Sequence, residues 1–391
     1  SYGSLGFNLK DKRVLWVHGV SVGEANLAIQ LVNELRKELI GWTYIVSTTT
    51  TTGMGVLRSK LPENALAVYY PIDWLPFIKL AFRALNPSAV VLVEAEIWPN
   101  LFWEANRTKA PLSLVNARLS EKSFEGYRRF GFLFRPLFKS LKAVGVHNAI
   151  DADRVASLGS ARQIIHVVGN MKFDGASVLG KSELDASTLL AQLKVPKDAQ
   201  VLVAGSTFEG EEALLCELLL RWRKAYPSLF LVLVPRHFER AKAVMEVLAL
   251  TGLKIARRTQ LETAPERPEV LLVDTTGELN AFYDVATVVF VGKSLTAQGG
   301  QNPIEPAALG KPVVFGPFMQ NFREVVESLL EAKGAVQVVD GTELTHKINE
   351  LLGNSEHCAA LGSAAMSVVE ANKGATQRTA QLVGQTLRAL E

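Results

Sequence analysis

VLWVHGVSVGEANLAIQLVNELRKEL, residues 14–39, changes its hydrophobic period halfway along. Residues 14–18 are almost wholly apolar, as in a strand buried on both faces. Beyond residues 19–23, Leu27, Leu31, Leu35 and Leu39 recur at helical spacing. A buried strand feeding a helix through a short turn is the first half of a βαβ unit. The unit repeats, with strand candidates at 44–48, 68–70, 89–94, 112–115 and 143–147 separated by helical stretches. Such alternation predicts a parallel sheet covered on both faces. The pattern starts again at 164–168, passes through GNMKFDG (169–175) as a hinge, and continues with strand candidates at 201–204, 229–234, 270–273, 287–291 and 312–315. The prediction is α/β: two doubly wound, Rossmann-like domains joined near residue 170. Ligands of such sheets bind beyond the C-terminal strand ends, so two facing domains would share one cleft. The threonine run at 48–52 reads as a loop or strand end.

Composition sets the limits. The chain has 391 residues, 48% hydrophobic and 21% charged, with Cys216 and Cys358 as its 2 cysteines. Single cores stop growing near about 250–300 residues, so more than one domain is expected. Ordinary apolar content excludes intrinsic disorder, and two distant cysteines exclude a disulfide framework and fit a reducing compartment. No apolar run approaches the roughly 18 residues of a spanning helix. A start at Ser1 rather than Met is read as a trimmed N-terminus. Net charge is +3 but uneven: residues 1–150 hold 18 Lys and Arg against 11 Asp and Glu. The basic half is where an anionic partner is expected.

Four junctions in the second half could hold an anion. Ser206 and Thr207 follow the strand VLVA and precede a helix expected near Glu209; they read as a phosphate cradle or as N-caps. Arg236 and His237 end the strand LFLVLV, where a fixed guanidinium suits a phosphate oxygen or a surface ion pair. Thr276, Gly277 and Glu278 follow a third strand and open a helix. In GGQNPIEPAALGKPVVFGP (299–317) the glycines permit close backbone approach, Asn302 can cap, and Pro303 suits a first helical turn. Glu305 would then project from that turn, either toward ribose hydroxyls or merely to complement the helix dipole. No Walker loop or GxGxxG fingerprint is present, which weakens NTPase and dehydrogenase readings.

In the first half, Glu24 stands at a helix start, as a general base or as a carboxylate that completes the turn. Glu94 and Glu96, in EAEIWPN (94–100), put paired carboxylates at another strand end. The histidines are scattered without metal-ligand spacing, so no metal site is expected. Arg118, Lys122, Arg128, Arg129, Arg135, Lys139 and Lys142 interleave with Phe124, Tyr127, Phe130, Phe132, Phe134 and Phe138. Such a surface suits anionic headgroups, single-stranded nucleic acid, or simply a solvated helix face.

Taken together, WVHGVSVGE, YYPIDW, VEAEIWPN, NARLSEKSFEGYRRF, AGSTFEGEE, PRHFER, DTTGEL and GGQNPIEPAALGKPVVFGP resemble the 3-deoxy-D-manno-octulosonic acid (Kdo) transferases, in that family's order and over nearly the whole chain. The resemblance implies a GT-B fold, CMP-Kdo as donor substrate with no other cofactor, and a lipid A precursor as the anionic acceptor. It implies work at the cytoplasmic face of the inner membrane, with an anchor missing from this chain, and no nucleic-acid partner. Residues 1–170 would bind acceptor, 171–371 would bind CMP-Kdo, and 372–391 would return as a helix to the first domain. By position, Glu24 matches the family's catalytic base and Glu96 a second acidic residue near the donor sugar. Arg236 would hold the CMP phosphate with His237, Ser206, Thr207, and the turns at Thr276, Gly277, Glu278 and Asn302, while Glu305 would take the ribose. Arg118, Lys122, Arg128 and Arg129 would face the acceptor. Phe208, Gln301 and Phe318 stand where histidines are common, and Gly19 where Ala is usual. Two other classes share these features: a GT-B enzyme or epimerase using a UDP-sugar, and a lipid A-binding protein without activity.

Overall fold

The computed structural model describes residues 9, 12–94, 97–177 and 184–390. The chain divides into two compact units, Ser1–Asp174 with Asn372–Glu391, and Gly175–Ala371.

The first unit has seven described strands: β1 (Arg13–His18), β2 (Trp42–Thr48), β3 (Ala65–Tyr69), β4 (Ala89–Val93), β5 (Leu112–Ala117), β6 (Ala143–Val146) and β7 (Ile165–Val167). All pair in parallel, in the order β3-β2-β1-β4-β5-β6-β7. The residues at 164–168 thus complete the first sheet as its edge rather than restarting the pattern, with Val144 opposite Ile165. β1, β2, β4 and β5 are central and buried on both faces, which is why they read as continuous apolar runs.

Helices cover both faces. Ile78, Phe82, Leu101, Phe102, Leu137 and Phe138, from helices Leu75–Leu85, Pro99–Thr108 and Gly131–Ser140, pack one face of the sheet. The other face takes Leu27, Leu31 and Leu35 of helix Val22–Glu38 together with Ala380, Val383 and Leu387 of helix Ala375–Ala389. Residues 171–174 also lie with this unit. Met171 is fully buried in the same core, and Asp174 accepts the N–H groups of Gly374 and Thr376 at 2.7 and 2.6 Å.

The second unit repeats the plan with β8 (Val201–Thr207), β9 (Phe230–Pro235), β10 (Ile255–Arg257), β11 (Val270–Leu272), β12 (Val288–Val291), β13 (Val313–Phe315) and β14 (Ala335–Gln337). These also pair in parallel, in the order β10-β11-β9-β8-β12-β13-β14. Helices Glu211–Trp222, Ala241–Leu248 and Gly341–Gly353 bury Leu215, Leu219, Leu248 and Ile348 against one face. In each sheet the strand order reverses beside the first strand: between β1 and β4, and between β8 and β12. The turns leaving those two strands diverge there and open a crevice at the C-terminal edge, where ligands of doubly wound sheets bind. No helix among the described residues is long and apolar enough to cross a membrane.

Candidate functional site

At the first crevice, β1 turns into helix Val22–Glu38 through Gly19, Val20 and Ser21. Ser21 caps the helix by accepting the N–H of Glu24 at 3.2 Å, and its hydroxyl donates to Glu24 Oε1 at 2.8 Å. Val20 N–H donates to Glu24 Oε2 at 2.7 Å. Each carboxylate oxygen is therefore oriented by one donor and retains a lone pair. The turn closes tightly at Gly19, where a Cβ would lie 2.9 Å from Glu24 Cβ and shift it slightly. The threonine run braces it: the hydroxyls of Thr48, Thr49 and Thr50 donate to Val20 O at 2.7, 3.3 and 3.4 Å.

At the same C-terminal edge of the sheet stand aromatics that sequence reading did not single out. The His18 ring stacks on Tyr70 at 4.0 Å, and Tyr70 lies 5.5 Å from Trp98. His18 Nδ1 is 3.2 Å from Ser47 O and 2.9 Å from Ser47 Oγ. Burial pushes the imidazole down to about 4, against the opposing pull of the Ser47 carbonyl, so it is neutral at physiological pH. Asp73 of YYPIDW accepts the N–H groups of Asn100 and Leu101, both at 3.1 Å, and so caps helix Pro99–Thr108. Glu94, at φ 65°, pairs with Lys172 at 2.9 Å. Glu96 lies outside the described residues.

The basic, aromatic segment splits into two helices, Glu121–Arg129 and Gly131–Ser140. Tyr127 lies edge-on to Phe134 and Phe138 at 4.7 and 5.6 Å, and these rings anchor the pair to the core. Only Phe130 and Phe132, 50% and 84% exposed, reach solvent as large apolar groups. Arg128 is held by Glu125 at 2.7 Å and lies over Phe124, while Arg129 lies over Phe130. Lys122 is exposed and Arg118 half-buried. A second exposed apolar set went unread: Trp74, Phe77 and Leu80 at helical spacing, with Ile72 and Trp103. Phe77 and Leu80 were hidden in a helix whose inner face is equally apolar.

At the second crevice, Ser206 and Thr207 do not stand at a helix start. A bulge at Ser206 (φ 54°) lets β8 run on until Thr207 pairs with Pro235. The helix begins at Glu211 after Gly210 (φ 89°), which carries the cap position without a side-chain bond. Thr207 is buried and donates to Glu212 Oε1 at 3.1 Å, so neither residue caps. Glu212 in turn binds Arg240 at 3.0 Å, and burial raises its carboxyl above the usual range. Glu211 is fully buried and accepts four backbone N–H groups: Phe208 at 2.9 Å, Lys293 at 2.7 Å, Ser294 at 2.9 Å and Leu295 at 3.0 Å.

Arg236 and His237 are exposed at the end of β9. Asn302 accepts the Ile304 N–H through Oδ1 and donates through Nδ2 to Glu305 Oε1, both at 3.0 Å. Burial raises the Glu305 carboxyl, while Asn302 and the Arg236 charge pull it back. Gly299 and Gly300, at φ 116° and 70°, form the preceding turn, tied by Gly300 N–H to Lys293 O at 2.9 Å. Thr276 and Gly277 are exposed in the turn before helix Leu279–Asp284. Glu278 is engaged in a two-pronged pair with Arg258, at 3.1 and 2.8 Å, and takes the Thr275 hydroxyl. Among the described residues no group of three His, Cys, Asp or Glu side chains is arranged to hold a metal ion.

Comparison with known proteins matches this picture. A family model described as 3-deoxy-D-manno-octulosonic-acid transferase (kdotransferase) matches residues 2–175. The 3-deoxy-D-manno-octulosonic acid transferase of Haemophilus influenzae is 31% identical over 94% of this chain and 86% of its own length. The enzyme of the same name from Rickettsia bellii is 28% identical over 97% and 90%. Among solved structures, a glycosyltransferase from Rickettsia africae covers 97% of this chain and 99% of its own at a TM-score of 0.55 and 14% identity, a likeness of fold. With two doubly wound units of the GT-B kind and near full-length similarity at that level, the chain belongs to the 3-deoxy-D-manno-octulosonic acid transferase family.

Proposed function

We propose that this transferase moves Kdo from CMP-Kdo to a lipid A precursor, with inversion and without a metal ion. The observation that carries the reading is the Glu24 carboxylate, oriented by Val20 N–H and the Ser21 hydroxyl at the β1/β4 crevice. In this reading Glu24 takes the proton of an acceptor sugar hydroxyl as its oxygen forms a bond to the Kdo anomeric carbon. The bond from that carbon to the CMP phosphate oxygen breaks, and CMP leaves with the electron pair. Arg236 offsets the phosphate charge, with Ser206, His237 and the turns at Thr276, Gly277, Glu278 and Asn302 lining the donor site, while Thr207, buried and bonded to Glu212, is out of a ligand's reach. Glu305 takes ribose hydroxyls. A leaving group with one phosphate needs no more charge than protein cations supply. Arg118, Lys122, Arg128 and Arg129 attract the anionic acceptor at the cytoplasmic face of the inner membrane.

Incubation with CMP-Kdo and tetra-acylated lipid A precursor, read by mass spectrometry, tests this directly. Products with added Kdo are expected, and Glu24→Gln is expected to cut turnover by about 100-fold or more while CMP still binds. Near-normal turnover in that variant overturns the role of Glu24; no product from the unaltered chain overturns the reaction.

A further inference from the structure

The β8/β12 crevice is flanked by Phe208, which follows β8, and Lys293, which follows β12. Lys293 holds φ at 54°, a left-handed conformation that disfavours any side chain, yet the position carries a long cationic one. Backbone strain retained at a ligand crevice is a pointer to function. Its backbone is fixed from two sides: the N–H donates to buried Glu211 at 2.7 Å, and the carbonyl accepts Gly300 N–H at 2.9 Å. The same Glu211 oxygen accepts the Phe208 N–H at 2.9 Å, so one carboxylate ties the two flanks together.

The side chain is placed as well. Lys293 Nζ lies 5.2 Å from the centroid of the Phe208 ring, and a methyl on Gly299 would sit 3.8 Å from Lys293 Cε. The lysine therefore rests on an aromatic ring and runs along the glycine turn that leads to Asn302 and Glu305. Arg240 lies 5.6 Å from the same ring, but its charge is matched by Glu212. Among the described residues Lys293 has no carboxylate partner. A cation positioned by strain, seated on a ring and left unmatched at the ligand edge is arranged for an anion from outside the chain.

We propose that Lys293, seated on Phe208, is a binding residue for the phosphate of the nucleotide-sugar donor. The assignment rests on the donor-site reading above and adds to Arg236 a second cation for the phosphate. It also gives Phe208 a task as platform for that cation, where the family commonly has a histidine.

The test is calorimetric titration of the full chain with CMP, UMP and cytidine, alongside donor kinetics. Lys293→Gln keeps a non-glycine backbone and removes only the charge. It is expected to weaken CMP about ten-fold or more, leave cytidine unchanged, and raise KM for CMP-Kdo in parallel. Lys293→Arg is expected to retain most CMP affinity, and Phe208→Ala to give an intermediate loss. Equal CMP binding by Lys293→Gln and the unaltered chain overturns the assignment and leaves the donor reading intact. A Lys293-dependent preference for UMP supports the residue and overturns CMP-Kdo as donor. Binding of neither nucleotide overturns both.

Discussion

His18 sits at the end of β1 with its ring fully buried, so its protonation is coupled to folding. Its imidazole is pushed down to about 4 from an ordinary 6.5, mainly by burial. Between those values the unfolded chain binds the proton and the folded one refuses it. Stability is therefore lost as pH falls from 6.5 toward 4, by roughly 3 kcal/mol from this residue alone. Urea titrations across that range should show a shallower fall for His18→Phe than for the unaltered chain. Parallel slopes would mean the ring is protonated without cost. Glu24 was legible for a local reason: a capping serine three residues before a glutamate is a short-range signal. His18, Tyr70 and Trp98 were not, because only the sheet order brings residues 18, 70 and 98 to one edge.

At the scale of elements, the close fit of strand to helix is concentrated at β8. A methyl on Gly205 would lie 2.0 Å from the hydroxyl oxygen of Tyr283, a buried side chain of helix Leu279–Asp284. Gly205→Ala is expected to destabilise by about 1–3 kcal/mol, and adding Tyr283→Phe to recover part of that by removing the clashing oxygen. Additive costs in a double-mutant cycle would refute the contact. Strands buried on both faces announced themselves in the sequence as apolar runs, and so did the doubly wound plan. β10 and β14, three residues each at the sheet edges, left no such run. The β8 bulge misled because Gly-Ser-Thr is equally good turn chemistry and strand end. Glu211 and Lys293 were invisible as partners, since their tie spans 82 positions.

The whole molecule presents a surface that no single element explains. Trp74 at the start of helix Leu75–Leu85 and Phe77 and Leu80 within it are exposed, as is Trp103 on the neighbouring helix Pro99–Thr108. Phe130 and Phe132, exposed at the turn into helix Gly131–Ser140, stand on the third helix packed over that face of the sheet. Lys79, Arg83 and Arg129 accompany them. The unaltered chain is expected to sediment with anionic vesicles far more than with zwitterionic ones. Exchanging those three cations for Gln should weaken binding by about 3 kcal/mol, roughly a hundred-fold, at about 1 kcal/mol per charge. Equal sedimentation with both lipid types would remove this surface from consideration.

One feature of the first unit has a temporal meaning. Its strands lie between residues 13 and 167, but one face is closed by Ala380, Val383 and Leu387, which are made only after the whole of the second unit. Domains fold as units as they emerge during synthesis, and a sheet face without its cover is exposed to misassembly. The second unit, complete by residue 371, can therefore finish folding on the ribosome before the first. The first unit therefore stays open on that face while the second is made, and its strands must be shielded through the synthesis of an entire neighbouring unit.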